Sequence, residues 1–215
     1  MILKEGRKIE EKVYLSEIVF DWHKQLFSFI DYLEQIDPID IATLGPAGTS
    51  SETAAKYILR DLKNKYAKYS LYPTYEEAYH QVVEKAKTLL LVANAYEGID
   101  KIYMSSKLNF LFSFPFETPY YGLAQAEDYQ LPKDRTLKIA THHAPSSLIP
   151  WFMNGDQIDY KPVLVSSTSE AATMVKNKQV DLCVTNTTSA EKYNVKFISR
   201  MRPILMQWSL FGVTS

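Results

Sequence analysis

Four stretches share the spacing S/T-x-x-E, each just after an apolar run: Thr49 to Glu52, Thr74 to Glu77, Ser167 to Glu170 and Thr188 to Glu191. In such a capping box the first side chain accepts from a backbone N–H, and the Glu reaches back to the cap. Taken singly, each is a helix start and nothing more. Three of the four, however, lie in runs of extra hydroxyls: Thr49-Ser50-Ser51, Ser166-Ser167-Thr168-Ser169 and Thr185-Asn186-Thr187-Thr188. Capping uses one hydroxyl, which leaves the surplus available to a ligand. A helix N-terminus also offers unpaired N–H groups and the positive end of the macrodipole, an anion site that needs neither Lys nor Arg. Arg is scarce, at positions 7, 60, 135, 200 and 202 only. The expected chemistry is therefore capture of a small anionic metabolite, a carboxylate, outside the carboxyl ends of strands in an open sheet. No P-loop Lys and no G-x-G-x-x-G follows a strand, which disfavours nucleotides.

The elements that must position these junctions alternate along the chain. Strands are expected at 39–44, 69–72, 88–93, 108–114, 137–141, 161–165, 180–185 and 206–213, and helices at 50–66, 74–86, 145–153, 168–178 and 188–193. This βαβα order predicts an α/β protein with largely parallel sheets. The segment 113–136 carries three of the ten prolines and little periodicity, and it reads as a crossover between two lobes. Residues 1–37 form an N-terminal extension in which Leu15, Ile18, Val19, Trp22, Leu26, Phe29, Ile30 and Leu33 follow helical spacing. Asp37-Pro38 ends that helix, because the residue before proline is pushed away from helical angles. The extension is expected to pack on the body or on a second subunit.

Composition narrows the partners. With 24 Lys and Arg against 25 Asp and Glu, the net charge is −1, and no basic stripe attracts a phosphate backbone. One cysteine, Cys183, excludes an internal disulfide and any cysteine-based zinc site, and its place in an apolar run makes it a core residue rather than a nucleophile. The N-terminus lacks the apolar stretch of a signal peptide and no run approaches a membrane span. A cytoplasmic protein with no membrane and no nucleic-acid partner is expected.

One junction is more specific. The run Thr43-Leu44-Gly45-Pro46-Ala47-Gly48-Thr49-Ser50-Ser51-Glu52-Thr53-Ala54-Ala55 resembles the opening motif of prephenate dehydratase domains, approximately L-G-P-x-G-T-F-S-x-x-A-A. Two of only seven glycines bracket a turn where backbone is expected to come close to a bound carboxylate. The resemblance continues through Thr141-His142, through Ser167-Thr168 with Ala171-Ala172, and through Val184-Thr185-Asn186 leading to Ala190 and Tyr193. It implies a two-lobed fold like that of type II periplasmic binding proteins. Residues 38–112 with 195–215 would form one lobe and 113–194 the other, with the site between them, and a homodimer is implied as well.

Departures from the dehydratase pattern bear on the reaction. Where those domains carry T-R-F, this sequence has Ser209-Leu210-Phe211 within Gln207-Trp208-Ser209-Leu210-Phe211, and their P-I-E-N-S-x-E-G becomes Val92-Ala93-Asn94-Ala95-Tyr96-Glu97-Gly98. The sequence ends at Ser215, and no phenylalanine-sensing domain of the kind that commonly follows is expected. The W-S-L-F-G run and the Ala-Tyr-Glu-Gly run look like those of the bacilysin-type prephenate decarboxylases, enzymes of antibiotic and related pathways. That resemblance implies a cofactor-free carboxy-lyase that removes the ring carboxylate of prephenate, keeps the 4-hydroxyl and protonates the ring. A single-domain dehydratase making phenylpyruvate and a non-catalytic carboxylate-binding protein are the alternatives.

The resemblance assigns His142, Ser209 and Leu210 to catalysis, with His142 leading as proton donor near neutral pKa. Asn94, Tyr96 and Glu97 are further candidates. Substrate contacts are expected from Thr43, Gly45, Pro46, Gly48, Thr49, Ser50, Asn94, Ser167, Thr168, Asn186, Trp208 and Phe211, with no metal. Trp208, Leu210 and Phe211 are expected to wrap the leaving carboxylate in apolar surface.

Overall fold

A computed structural model describes residues 16–62, 66–155 and 158–213. The expected start of the extension, Leu15 included, and residues 63–65 of the helix expected over 50–66 lie outside the described residues. After α1 (Ser16–Gln35), the chain alternates as expected, with the short α4 as an addition: β1 (Asp40–Leu44), α2 (Ser50–Leu62), β2 (Lys68–Tyr72), α3 (Tyr75–Val83), β3 (Leu89–Ala93), α4 (Ile99–Tyr103) and β4 (Leu108–Glu117). Next come β5 (Tyr121–Ala126), β6 (Leu137–His142), a 3₁₀ turn over Ser146–Leu148, α5 (Ile149–Phe152), β7 (Tyr160–Val165), α6 (Thr168–Lys176), β8 (Leu182–Asn186), α7 (Thr187–Tyr193), β9 (Val195–Phe197) and β10 (Leu205–Val213).

These strands build two five-stranded sheets, ordered β2-β1-β3-β10-β4 and β7-β6-β8-β5-β9. Each is half parallel. β2, β1 and β3 run together, as do β7, β6 and β8, whereas β10 is antiparallel to both neighbours and β5 likewise. The expectation of largely parallel sheets thus holds only for the βα halves. The antiparallel strands enter because the chain crosses between the sheets twice. It leaves the first sheet after Glu117 and returns through 198–204, and the two passages run side by side: Tyr121 N donates to Arg202 O at 2.8 Å, and Arg202 N to Tyr121 O at 3.0 Å. Strand membership therefore changes at 118–120 and 198–204 rather than at 112/113 and 194/195, since β4 continues to Glu117 and β9 pairs with β5.

Burial explains why the strands read so plainly. Leu89–Ala93 and Leu182–Asn186 are buried at every position, as strands covered on both faces must be. Helix α1 packs through Phe29, whose ring stacks on Phe112 at 5.2 Å, with Leu26, Leu33 and Ile36 beside it. Ile18, Val19 and Ile30, expected on the same stripe, are exposed together with Phe20 and Phe27.

Candidate active site

Parallel strands deliver their βα junctions to one edge of a sheet, and here the two edges face each other. The cleft between them is about 550 Å³, counting space open to solvent, within the ~300–1,000 Å³ of small-molecule sites. From the first lobe come Thr49, Ser50 and Ser51 at the start of α2, Tyr75 on α3, and Leu44, Ala93, Ala95, Tyr96, Met206 and Trp208. The second lobe contributes Tyr121, His142, Ala144, Pro145 and the Ser166-Ser167-Thr168 start of α6. Among the described residues no Lys, Arg, Asp or Glu lines it. Both helices begin there, so the N–H groups of their first turns lie ahead of the intrahelical ladder and at the cavity.

The caps form largely as the spacing predicts. Thr49 Oγ1 accepts from Glu52 N at 3.2 Å, Thr74 Oγ1 from Glu77 N at 3.1 Å and Ser167 Oγ from Glu170 N at 3.1 Å. The carboxylates reach one residue further back than a capping box requires, Glu52 to Gly48 N at 2.6 Å and Glu170 to Ser166 N at 2.8 Å. At α7 the expected Thr188 cap is replaced by Asn186, whose side-chain oxygen accepts from Ser189 N at 2.8 Å. The cap falls two residues earlier because β8 runs straight into the helix.

The surplus hydroxyls are mostly not free. Ser50 pairs with Tyr121 at 2.7 Å across the lobes, Ser51 with Tyr75 at 3.0 Å, and Ser169 with Ser189 at 2.8 Å. Asn186 Nδ2 donates to Ser50 at 3.4 Å, Ser189 Oγ to Gly48 O at 2.8 Å, and Lys192 Nζ to Ala47 O at 2.7 Å. The loop before α2 is thereby fastened to the second lobe. This is where the glycines act: at Gly48, φ +100, a Cβ would lie 3.1 Å from Ser169 Oγ and 3.2 Å from Ser189 Oγ, and at Gly45 it would lie 3.0 Å from Leu71 Cβ. Their close approach is to protein, not to the cavity.

Of the residues singled out by sequence, Thr49, Ser50, His142, Ser167, Thr168 and Trp208 come together on the cavity, as does Tyr96. The others do not line it. Thr43 Oγ1 donates to Leu91 O at 2.8 Å between strands, Gly45 and Pro46 border an outer groove with Tyr72 and Thr173, and Asn94 is exposed. On β10 the side chains alternate, so Trp208 faces the cleft while Ser209 turns the other way, donating to Asn94 Oδ1 at 2.7 Å and pairing with Tyr103 at 2.8 Å. Leu210 lies on Trp208's face but deeper, opposite Leu91 where Trp208 is opposite Ala93, and is wholly buried. Phe211 packs on Tyr103 and Phe110. The apolar wall is therefore Trp208 with Met206, Leu44, Ala93 and Ala95, not Trp208 with Leu210 and Phe211. Tyr75 and Tyr121 went unnoticed because spacing gives no signal among 15 tyrosines.

Titration follows burial. His142 is half-buried, and burial, reinforced by the charge of His143, lowers its pKa below the usual imidazole value. Its Nδ1 accepts from Ala144 N at 3.2 Å. Burial raises the hydroxyls of Tyr75 and Tyr121, and at Tyr96 burial acts together with a hydrogen bond to Glu76. His142 is thus the cavity's one lining group with a pKa near or below neutrality. Cys183 is fully buried in β8, which pushes its thiol up and leaves it unreactive. Among the described residues no three His, Cys, Asp or Glu are grouped as a metal site, and no helix is long and apolar enough to cross a membrane.

No protein-family model matches the chain. A prephenate decarboxylase of Bacillus subtilis (strain 168) is 38% identical over 179 residues, 81% of this chain and 86% of that one. The chain belongs to the prephenate decarboxylase family. A second decarboxylase, from Planktothrix agardhii, is 33% identical over 80% of this chain and 86% of its own. Among solved structures, the prephenate dehydratase of Arthrobacter aurescens superposes with a TM-score of 0.64 at 14% identity, over 82% of this chain and 61% of that one, a likeness of fold. Among the described residues the cavity of this chain is lined by no charged side chain, and it is framed by two helix N-termini and one imidazole.

Proposed function

We propose that the protein decarboxylates prephenate without aromatising it, giving a dihydro-4-hydroxyphenylpyruvate, as a cytoplasmic homodimer in a specialised-metabolite pathway. The observation that carries this reading is the pairing of two helix N-termini across a cavity that, among the described residues, no charged side chain lines. Prephenate is a dianion with a pyruvyl and a ring carboxylate. The starts of α2 and α6 suit the carboxylate that must be held, by N–H groups and dipole. Trp208, Met206, Leu44, Ala93 and Ala95 suit the one that must leave, since an apolar wall replaces its hydration and favours neutral CO2. The C–C bond to the ring carboxylate breaks, its electron pair enters the cyclohexadiene, a ring carbon takes one proton, and the hydroxyl stays. No cofactor is called for, because the diene itself accepts the pair.

His142 supports the proton transfer. Neutral in the empty cleft at pH 7, its pKa is raised by a bound dianion, so the proton is taken up with the substrate. The homodimer rests on the family resemblance and is supported by the exposed apolar residues Ile18, Phe20 and Phe27 on α1. The experiment is to incubate purified protein with prephenate and follow ultraviolet absorbance and CO2 together. A dienyl product that keeps its hydroxyl is expected. Aromatic phenylpyruvate would make the protein a dehydratase, and an unchanged substrate would make it a binding protein.

A further inference from the structure

The Trp208 ring lines the cavity and is 1% exposed. Among the described residues, its Nε1–H is the single buried side-chain nitrogen or oxygen with no hydrogen-bond partner. An unpaired buried donor costs about 1–3 kcal/mol. Acceptors are plentiful in this cleft, yet they are taken: Ser50 and Tyr121 hold each other, and the Tyr75 hydroxyl is bonded to Ser51 and receives Ala93 N at 3.1 Å. On the neighbouring strand Trp208 is opposite Ala93, and past the strand's end Ala95 also lines the cavity, both too small and too apolar to offer the indole an acceptor. A Phe would serve the apolar wall without leaving a donor stranded.

We propose that Trp208 is a substrate-binding hydrogen-bond donor, its Nε1–H taking an oxygen of the anionic substrate. This deepens the prephenate reading, turning one part of the apolar wall into a fixed point that sets the substrate's register between the helix N-termini and His142. A donor on an uncharged ring can orient a carboxylate, keto or hydroxyl oxygen without supplying a cation that would hold the ring carboxylate back.

The test uses protein labelled with ¹⁵N at its three tryptophans, the Trp208 indole signal being assigned by its loss in Trp208→Phe. Saturating prephenate, added to the slowed His142→Asn variant, is expected to move that signal downfield. Phenylpyruvate, which has the oxoacid side chain but neither ring carboxylate nor hydroxyl, is the second probe: movement with both places the bond at the oxoacid end, and movement with prephenate alone places it on the ring substituents. In the otherwise unchanged enzyme, Trp208→Phe is expected to raise KM about five- to tenfold, the worth of one neutral hydrogen bond, with kcat within about twofold. The proposal requires both results. A stationary indole signal, or a KM unchanged in Trp208→Phe, overturns it. Absence of CO2 from the wild-type protein overturns the decarboxylase reading instead, and the indole signal still decides whether Trp208 binds the ligand.

Discussion

Helices α2 and α6 begin alike, each with an S/T-x-x-E cap after a parallel strand and each at the same cavity, but their surroundings differ. At α2 every neighbouring hydroxyl is engaged, Ser50 with Tyr121, Ser51 with Tyr75, and Glu52 is held by Lys56 at 2.9 Å and Tyr69 at 2.8 Å. At α6 Ser166 is exposed and bonded only to the helix's own Glu170. The first lobe is a rigid wall, apolar on its β3 and β10 side. The second brings the imidazole and the looser helix start. A similar local motif thus has all its hydroxyls engaged in one lobe, while in the other Ser169 is tied to Ser189 and Ala47 O and Ser166 stays at the exposed rim.

The comparison breaks most severely at His142. His142→Asn is expected to lower CO2 release by about 10²- to 10⁴-fold, or ~3–5 kcal/mol in barrier, while the melting temperature stays put. In the wild type, kcat/KM should fall as pH rises through the His142 pKa, below the ordinary imidazole value, because the protonated donor is lost. A pH profile of the initial rate reads this, and a profile that stays flat from the acid side up to the ordinary imidazole value would remove His142 from the step.

Leu210→Ala, in the wall behind Trp208, should cost about 2–5 kcal/mol of stability in urea unfolding through the cavity it leaves, with activity per folded molecule retained. Equal losses of stability and of activity per folded molecule would put Leu210 in the site after all. In the second lobe, burial works to raise the Asp181 pKa, yet Arg135 and the Lys138 N–H bring it to about 2. The stability this carboxylate contributes is therefore complete above about pH 4 and lost as pH falls towards 2. Asp181→Asn should remove about 2 kcal/mol at neutral pH and flatten that acid limb, visible in melting temperatures taken between pH 2 and 5. Smallest are the caps. Thr49→Ala and Ser167→Ala should each cost about 1 kcal/mol, but KM should rise more for Ser167→Ala, because the adjoining Ser166 at that helix start is exposed.

Much of this was legible beforehand, and the parts that were not have physical reasons. Buried βα units announce themselves by apolar runs followed by caps, so eight strands and the helices after β1, β2, β6, β7 and β8 could be placed from sequence, whereas the five-residue α4, whose Gly98 cap makes no side-chain hydrogen bond, could not. β5 could not, because Tyr121-Gly-Leu-Ala-Gln-Ala lies beside Pro119 with small residues in place of branched ones, and its partner β9 is three residues long. At the site, helix starts and His142 are set by local sequence and were found. Tyr75 and Tyr121 depend on two lobes meeting and were not. The alternation along β10 did carry a signal: Ser209 and Phe211 must face away from whatever Trp208 faces, and a motif read as a block of letters hides that.

The fastening of the 45–48 loop to α6 and α7 has a kinetic consequence. Its contacts run from Ser169 on α6 and from Ser189 and Lys192 on α7 to the carbonyls of Ala47 and Gly48, with no carboxylate taking part among the described residues. Added electrolyte screens pairs of opposite full charges far more than hydroxyl-to-carbonyl bonds. Parting of the lobes, which would widen the way out for product, is a motion of the microsecond-to-millisecond class. The dwell time of product in this enzyme should accordingly be nearly the same in dilute buffer and in brine.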